Sequence, residues 1–211
     1  MPSLRQLLVA HAPLLAIDAA SSRIQVGWLP AGRDARWATS DEEAGAGIFR
    51  AIESLGADPA AAAAFVFCEG PGSVLGIRTA AMAIRAWCAL APRPVFAYGS
   101  LAVVAQAHGR RDATVIADAR RDLWHCLVLG GNLRRVPVAE LMGDLLMPED
   151  FRHWSPLPTG TKRVPYELAE LFRQTDEAEL FRVTDAPDAF LHEEPTYATW
   201  APRIHRAPEN P

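Results

Sequence analysis

The sequence predicts a layered α/β fold with parallel pairing beyond an opening hairpin. Three observations carry that reading. Short apolar runs alternate with longer stretches of helical spacing between residues 14 and 108. Glycine and proline punctuate the joins. The pattern then restarts near residue 112, where two apolar runs flank a polar turn. Strands that alternate with helices form parallel sheets covered by helical layers. The chain has 211 residues, half of them hydrophobic, which suits two halves sharing a core. The expected division is residues 1–111 and a shortened 112–211, whose tail can pack back on the first half.

"LLAID" at residues 14–18 reads as a buried strand, "AASS" as a turn, and "IQVGWL" at 24–29 as the returning strand. "RWAT" is a candidate third strand. Ser40 and Glu43 have capping-box spacing ahead of Ala44, Ile48, Ile52 and Leu55, so a helix is expected from about residue 41 to Gly56. Gly45 and Gly47 cost such a helix up to about 1 kcal/mol each. They reflect either a loose first turn or a closely approaching helix. "AAFVFCEG" is a short buried strand, residues 76–90 a helix with many small residues, "RPVFAYG" a strand, and "SLAVVAQAHG" a helix that Ser100 can cap. In the second half, 114–118 and 123–129 read as a hairpin, and "MPEDFRHW" and "YELAELFRQT" as helices.

The N-terminal "LRQLLVAHAPLLAIDAA" is apolar and begins with Arg5, but His11, Pro13 and Asp18 interrupt it as a leader, and the run is expected to continue into the first strand. No stretch approaches the ~20 unbroken apolar residues of a membrane helix. A cytoplasmic protein is expected. The formal net charge of -4 argues against a chain that binds nucleic acid through bulk charge. Three cysteines, Cys68, Cys88 and Cys126, include no C-x-x-C pair, and the histidines show no metal-binding spacing, so neither a disulfide framework nor a zinc site is expected.

The stretch "EGPGSVLGIRT" at residues 69–79 poses the functional question. Gly70 and Gly72 permit a sharp turn, Ser73 can cap the next helix, and Gly76 and Arg78 follow. Such a loop can hold a phosphate at a helix start. It lacks the lysine of a Walker loop and is not G-x-G-x-x-G. The plainer reading is a strand-to-helix turn. Asp18 and Asp118 each end a hairpin's first strand. They can position a metal-bound nucleotide or serve as a base, or simply cap the following turn. The doublets Arg110-Arg111, Arg120-Arg121, Arg134-Arg135 and Lys162-Arg163 are either solvated turn tips or a local patch for RNA phosphates.

Taken in order, "LLAIDAASSRIQVGWL", "CEGPGSVLGIRTAAMAIRAWC", "PVFAYGSLAVVAQ" and "VIADARRDLWHCLVL" resemble the TsaB (YeaZ) family. That family carries an I-D-T-S hairpin, G-P-G-S-F-T-G-x-R, a V-S-S-L helix start and a D-A-R hairpin. The tail "EEPTYATWAPRI" is similar to its closing P-x-Y segment. The resemblance implies an actin/Hsp70/sugar-kinase-like (ASKHA) fold of two related α/β subdomains. It implies a non-catalytic subunit of the machinery that places threonylcarbamoyl on the adenosine beside the tRNA anticodon. Its partners would be a TsaD-like catalytic paralogue and a TsaE-like ATPase, with homodimerisation possible and tRNA met only through the complex. No cofactor or metal is implied.

This sequence departs from the family at Ala19-Ala20, where Thr-Ser is usual, and at Val74-Leu75, where Phe-Thr is usual. The lost hydroxyls make Gly70, Gly72, Ser73, Gly76 and Arg78 a vestigial phosphate loop, and Asp18 and Asp118 vestigial nucleotide-site residues. The resemblance implies that the helix at 41–55 lies in the partner-binding face, and the small residues on this helix and on the one at 76–90 suit close packing between chains. The two helices are expected to carry the partner interface, through Ile48, Ile52, Leu55, Ala80, Ile84 and Trp87. The competing expectation is an ATP-binding enzyme using Asp18, Asp118 and the 70–76 loop.

Overall fold

The computed structural model describes residues 1–32 and 34–190; the tail segment "EEPTYATWAPRI" lies outside them. Strand β1 (Leu14–Asp18) is buried along its whole length. It is central in its sheet, which is why its sequence is apolar without alternation. It pairs antiparallel with β2 (Ile24–Leu29), which pairs with β3 (Arg36–Ser40), and parallel with β4 (Ala64–Gly70), which pairs with β5 (Val95–Gly99). Ala16 faces Gly27 on one side and Val66 on the other. The second half repeats this plan. β6 (Ala113–Asp118) pairs antiparallel with β7 (Leu123–Val128), and β7 with β8 (Arg134–Pro137). On its other side β6 runs parallel to β9 (Asp144–Pro148), and β9 to β10 (Lys162–Val164). The two sheets therefore share one strand order, with β11 (Arg182–Val183) added at the β5 edge of the first.

The helices are α1 (Leu4–His11), α2 (Ala44–Ser54), α3 (Val74–Leu90), α4 (Ser100–His108) and α5 (Leu168–Gln174). Helices α2 and α3 pack on each other and on the first sheet, while α4 reaches β4 and β5 of one sheet and β6 and β7 of the other. From Tyr166 the chain returns to the first half. Gln25 donates to the Tyr166 carbonyl and accepts from Leu168 N–H, and Phe172 packs edge-on to Trp37 and Tyr98. Residues 112–165 thus carry the second sheet, and residues 166–190 belong with the first.

The N-terminal run continues into β1 as expected, and ahead of it holds a helix that the sequence pattern did not assign: Ser3 and Gln6 form a reciprocal capping box, and Leu4 and Leu7 are buried. Three local expectations are corrected. Ser40 ends β3 instead of opening α2, and Glu43 is the N-cap without a side-chain bond. Gly47 makes room for a strand side chain, since a Cβ there would stand 2.6 Å from Ile24 Cδ1; Gly45 faces open space. "MPEDFRHW" is not helical, because its leading methionine and proline finish β9, whose apolar residues are buried in the sheet.

Candidate functional site

The glycine loop is fastened to the first hairpin by its backbone. Ser73 N–H donates to the Ala20 carbonyl at 2.7 Å. A Cβ on Gly72 would fall 2.4 Å from that same oxygen, and one on Gly76 would fall 2.2 Å from the Ala19 carbonyl oxygen. Both positions therefore require glycine for close backbone approach. Gly70 lies at φ +115°, which other residues rarely adopt. Ser73 caps α3 by accepting from Gly76 N–H at 3.3 Å, and Ser100 Oγ donates to the Pro71 carbonyl. The loop turns the chain and starts a helix, packed tightly on Ala19 and Ala20. Arg78, one turn into α3, pairs with Asp188 at 3.4 Å.

Asp18 is sealed. Its Oδ1 accepts from Ala20 N–H at 2.9 Å, and its Oδ2 accepts from the Tyr98 and Tyr166 hydroxyls at 2.5 and 2.7 Å. It is fully buried. Burial pushes its pKa up, against the opposing effect of the two tyrosines and the Ala20 N–H. Burial also raises both tyrosines and the adjacent Cys68 thiol, with the Asp18 charge adding to each. The site joins β1, β5 and the segment returning at Tyr166.

Asp118 is its topological counterpart and is treated differently. It is partly exposed at a cleft. Its Oδ1 accepts from Arg120 N–H at 2.5 Å, and its Oδ2 from Trp154 and Ser155 N–H at 2.7 and 2.8 Å. Burial alone would raise this carboxyl, but the N–H groups of Ser155, Trp154 and Arg120 outweigh it and hold the pKa below the ordinary range. Asp118 thereby fixes the 153–155 segment against the β6–β7 turn.

That cleft has a volume of about 540 Å³ and lies between the glycine loop and the second hairpin. Ser73, Arg78, Asp118, Arg120, His125 and Trp154 line it, together with Arg152. The Arg120 guanidinium stacks on the Trp154 ring at 3.7 Å. So the structure brings Ser73, Arg78 and Asp118 to one space and leaves Asp18 outside it, behind the Ala19-Ala20 turn. Among the described residues no cluster of His, Cys, Asp and Glu is arranged to hold a metal.

Five of the expected interface side chains are corrected: Ile48, Ile52, Leu55, Ala80 and Ile84 are buried in the chain's own core, while Trp87 is half-buried and stacks on Phe65. These residues attach α2 and α3 to the sheet beneath. The helices present other groups outward: Phe49 is 49% exposed, Met82 59% and Leu75 77%. Phe49 meets Trp87 edge-on, linking the two outward faces.

Sequence reasoning missed Tyr98, Tyr166, Arg152 and Trp154. The two tyrosines reach Asp18 across 80 and 148 positions, so no local pattern announces them.

No protein-family model matches this chain, and no curated protein matches it. Its fold is similar to solved structures. One is YeaZ from Pseudomonas aeruginosa, at 22% identity and TM-score 0.56, spanning 76% of this chain and 88% of that one. Another is described as an uncharacterized protein with similarity to peptidase YeaZ from Pseudomonas aeruginosa, at 21% identity and TM-score 0.56 over the same shares. These neighbours agree with the resemblance read from the motifs, and at such identities they establish the fold. Among the described residues no helix is long and apolar enough to cross a membrane.

Proposed function

We propose that this chain is a TsaB-like, non-catalytic subunit of a tRNA threonylcarbamoyltransferase complex, which binds and steadies a TsaD-like catalytic paralogue. The observation that carries this reading is the outward face of α2 and α3. Phe49, Leu75 and Met82 leave apolar surface uncovered on two helices that are themselves firmly seated on a sheet. Apolar side chains exposed on a rigid base suit a protein partner. Gly45, with open space where a Cβ would stand, lets a partner backbone come close. The sealed Asp18 supports the same reading, because the carboxylate an ATP-handling site would use already satisfies three internal donors.

In this proposal the two sheets of common strand order are the halves of an ASKHA fold, a TsaE-like ATPase joins the complex, and tRNA is met through the assembly. The protein works in the cytoplasm. The same face serves a homodimer when the paralogue is absent. Co-expression with the TsaD-like paralogue tests the reading. Phe49→Asp combined with Met82→Asp abolishes co-purification, while Val138→Asp, at an exposed position of the second half, leaves it intact. A folded Phe49/Met82 double variant that still co-purifies refutes the assigned face.

A further inference from the structure

Residues 176–190 cross the first sheet and are fastened at two places. The first is the start of α1. Arg5 N–H donates to the Asp176 carbonyl at 2.9 Å, and the Arg5 guanidinium pairs with Asp176 and Glu177, each at 2.8 Å. Phe181 N–H donates to the Pro2 carbonyl at 3.2 Å. The second is the end of β4. The Glu69 carboxylate accepts from the Arg182 guanidinium at 2.5 Å, and the Glu69 carbonyl accepts from Phe190 N–H at 2.7 Å. Between these points β11 adds to β5, and Thr184 N–H donates to the Val95 carbonyl at 2.9 Å.

The packing between the fastenings is thin. Phe181 is sunk against Tyr98 and Phe172, and Pro187 and Ala189 are the other buried residues of the stretch. Both residues of β11 are exposed. Beneath residues 183–187 lies a cavity of about 370 Å³, whose opposite wall includes Arg85, Cys88 and Ala89 in the last turns of α3. A segment with few buried apolar contacts and a space under it opens at lower free energy than the strands it crosses. Its far end reaches the start of α3. Asp188 pairs with Arg78 at 3.4 Å, and Phe190 Cβ lies 4.0 Å from where a Cβ on Gly70 would stand. Leu75, exposed on the face assigned to the partner, belongs to that same first turn of α3.

We propose that residues 176–190 form a strap that opens and closes as one unit, and that the closed strap braces the start of α3 against the glycine loop. Loosening at Arg5 frees residues 176–181 and with them the support of β11. Release of β11 then draws Arg182 from Glu69 and Asp188 from Arg78, so α1 acts on α3 from the opposite end of the strap. The link to a partner rests on the subunit role proposed above; the strap itself does not.

Hydrogen exchange of the full chain tests the strap. The amides of Thr184 and Phe190 should exchange together, and faster than that of Ile17 in β1. Arg5→Glu turns attraction to Asp176 and Glu177 into repulsion at an exposed position. It should speed both amides ~5-fold, the scale of a surface ion pair, and leave Ile17 unchanged. Arg182→Ala, at the other fastening, should speed the same two amides and that of Phe181. Equal acceleration of Ile17 would mean that the chain opens as a whole. Acceleration by Arg5→Glu confined to residues 176–181 would mean that the two fastenings are independent. Either result overturns the strap. Calorimetric titration with the TsaD-like paralogue tests the brace, and Arg5→Glu should weaken binding ~5-fold by the same loss. Unchanged affinity alongside faster exchange at Phe190 overturns the brace. A wild-type chain that binds no paralogue refutes the subunit role and the brace with it, while the exchange rates still decide the strap.

Discussion

The β1–β2 and β6–β7 hairpins occupy the same place in sheets of the same strand order, and each ends its first strand in aspartate. They differ in what surrounds that aspartate. Around Asp18 the chain has placed two tyrosines, a helix returning from residue 166 and a glycine loop pressed on the next two alanines. Around Asp118 it has placed backbone N–H groups and an open cleft. The difference follows from helical cover. In the first half α2 and α3 occupy the connections that lead to β4 and β5, whereas β8 to β9 is joined by a single 3-10 turn. One hairpin has become part of a core and the other part of a surface.

The largest test of that contrast is Asp18→Ala against Asp118→Ala. The first strands three buried donors, each costing about 1–3 kcal/mol when unpaired, so urea unfolding should show a loss of about 4 kcal/mol. The second releases backbone N–H groups that water can reach, and a loss of about 1–2 kcal/mol is expected. Equal losses would show that the two sites are energetically alike. Next come Tyr98→Phe and Tyr166→Phe. Each removes a hydrogen bond to a carboxylate, with an expected cost of about 2 kcal/mol in the same measurement.

Acid titration of the urea midpoint sharpens the comparison further, because the two aspartates have opposite slopes. Asp118 has a depressed pKa in the folded chain. Its contribution is complete above the unfolded value of about 3.9 and is lost as the pH falls through the lower folded value. Asp18 has a raised pKa. Folding binds its proton more tightly, so stability gains as the pH falls from the raised value towards about 3.9. Asp118→Asn should remove the acid-side loss and Asp18→Asn the acid-side gain. The smallest expected effect is at Arg121→Gly, which relieves one left-handed residue and should add about 1 kcal/mol; a loss of stability there would show that Arg121 holds the turn through its side chain.

The strands were legible because buried parallel and central strands are plain apolar runs, as "LLAID" and "AFVFC" are. The glycine loop was legible as a turn for a physical reason that the structure supplies, the close approach of Gly72 and Gly76 to two carbonyls. Helix α1 was hidden because its Ser3–Gln6 box precedes an apolar stretch that runs on towards a strand. The expected interface side chains were read from the residues of strongest helical periodicity, and those are buried within the chain. Ile48, Ile52 and Leu55 form the stripe that a helix turns towards its own core. The outward residues Phe49 and Met82 lie off that stripe. The tyrosines on Asp18, and Arg152 with Trp154, sit in segments whose neighbours in space are far away in sequence, so pattern alone cannot assemble them.

In the proposed role this molecule acts through the α2–α3 surface and not through its carboxylates. The most direct measurement is the threonylcarbamoyladenosine content of tRNA in the native host carrying, as its one copy, either Phe49→Asp/Met82→Asp or Asp118→Asn. The modification should vanish with the first variant and persist with the second. Persistence with the altered surface, together with loss on replacing Asp118, would mean that the chemistry resides in this chain and that the subunit role assigned to it is wrong.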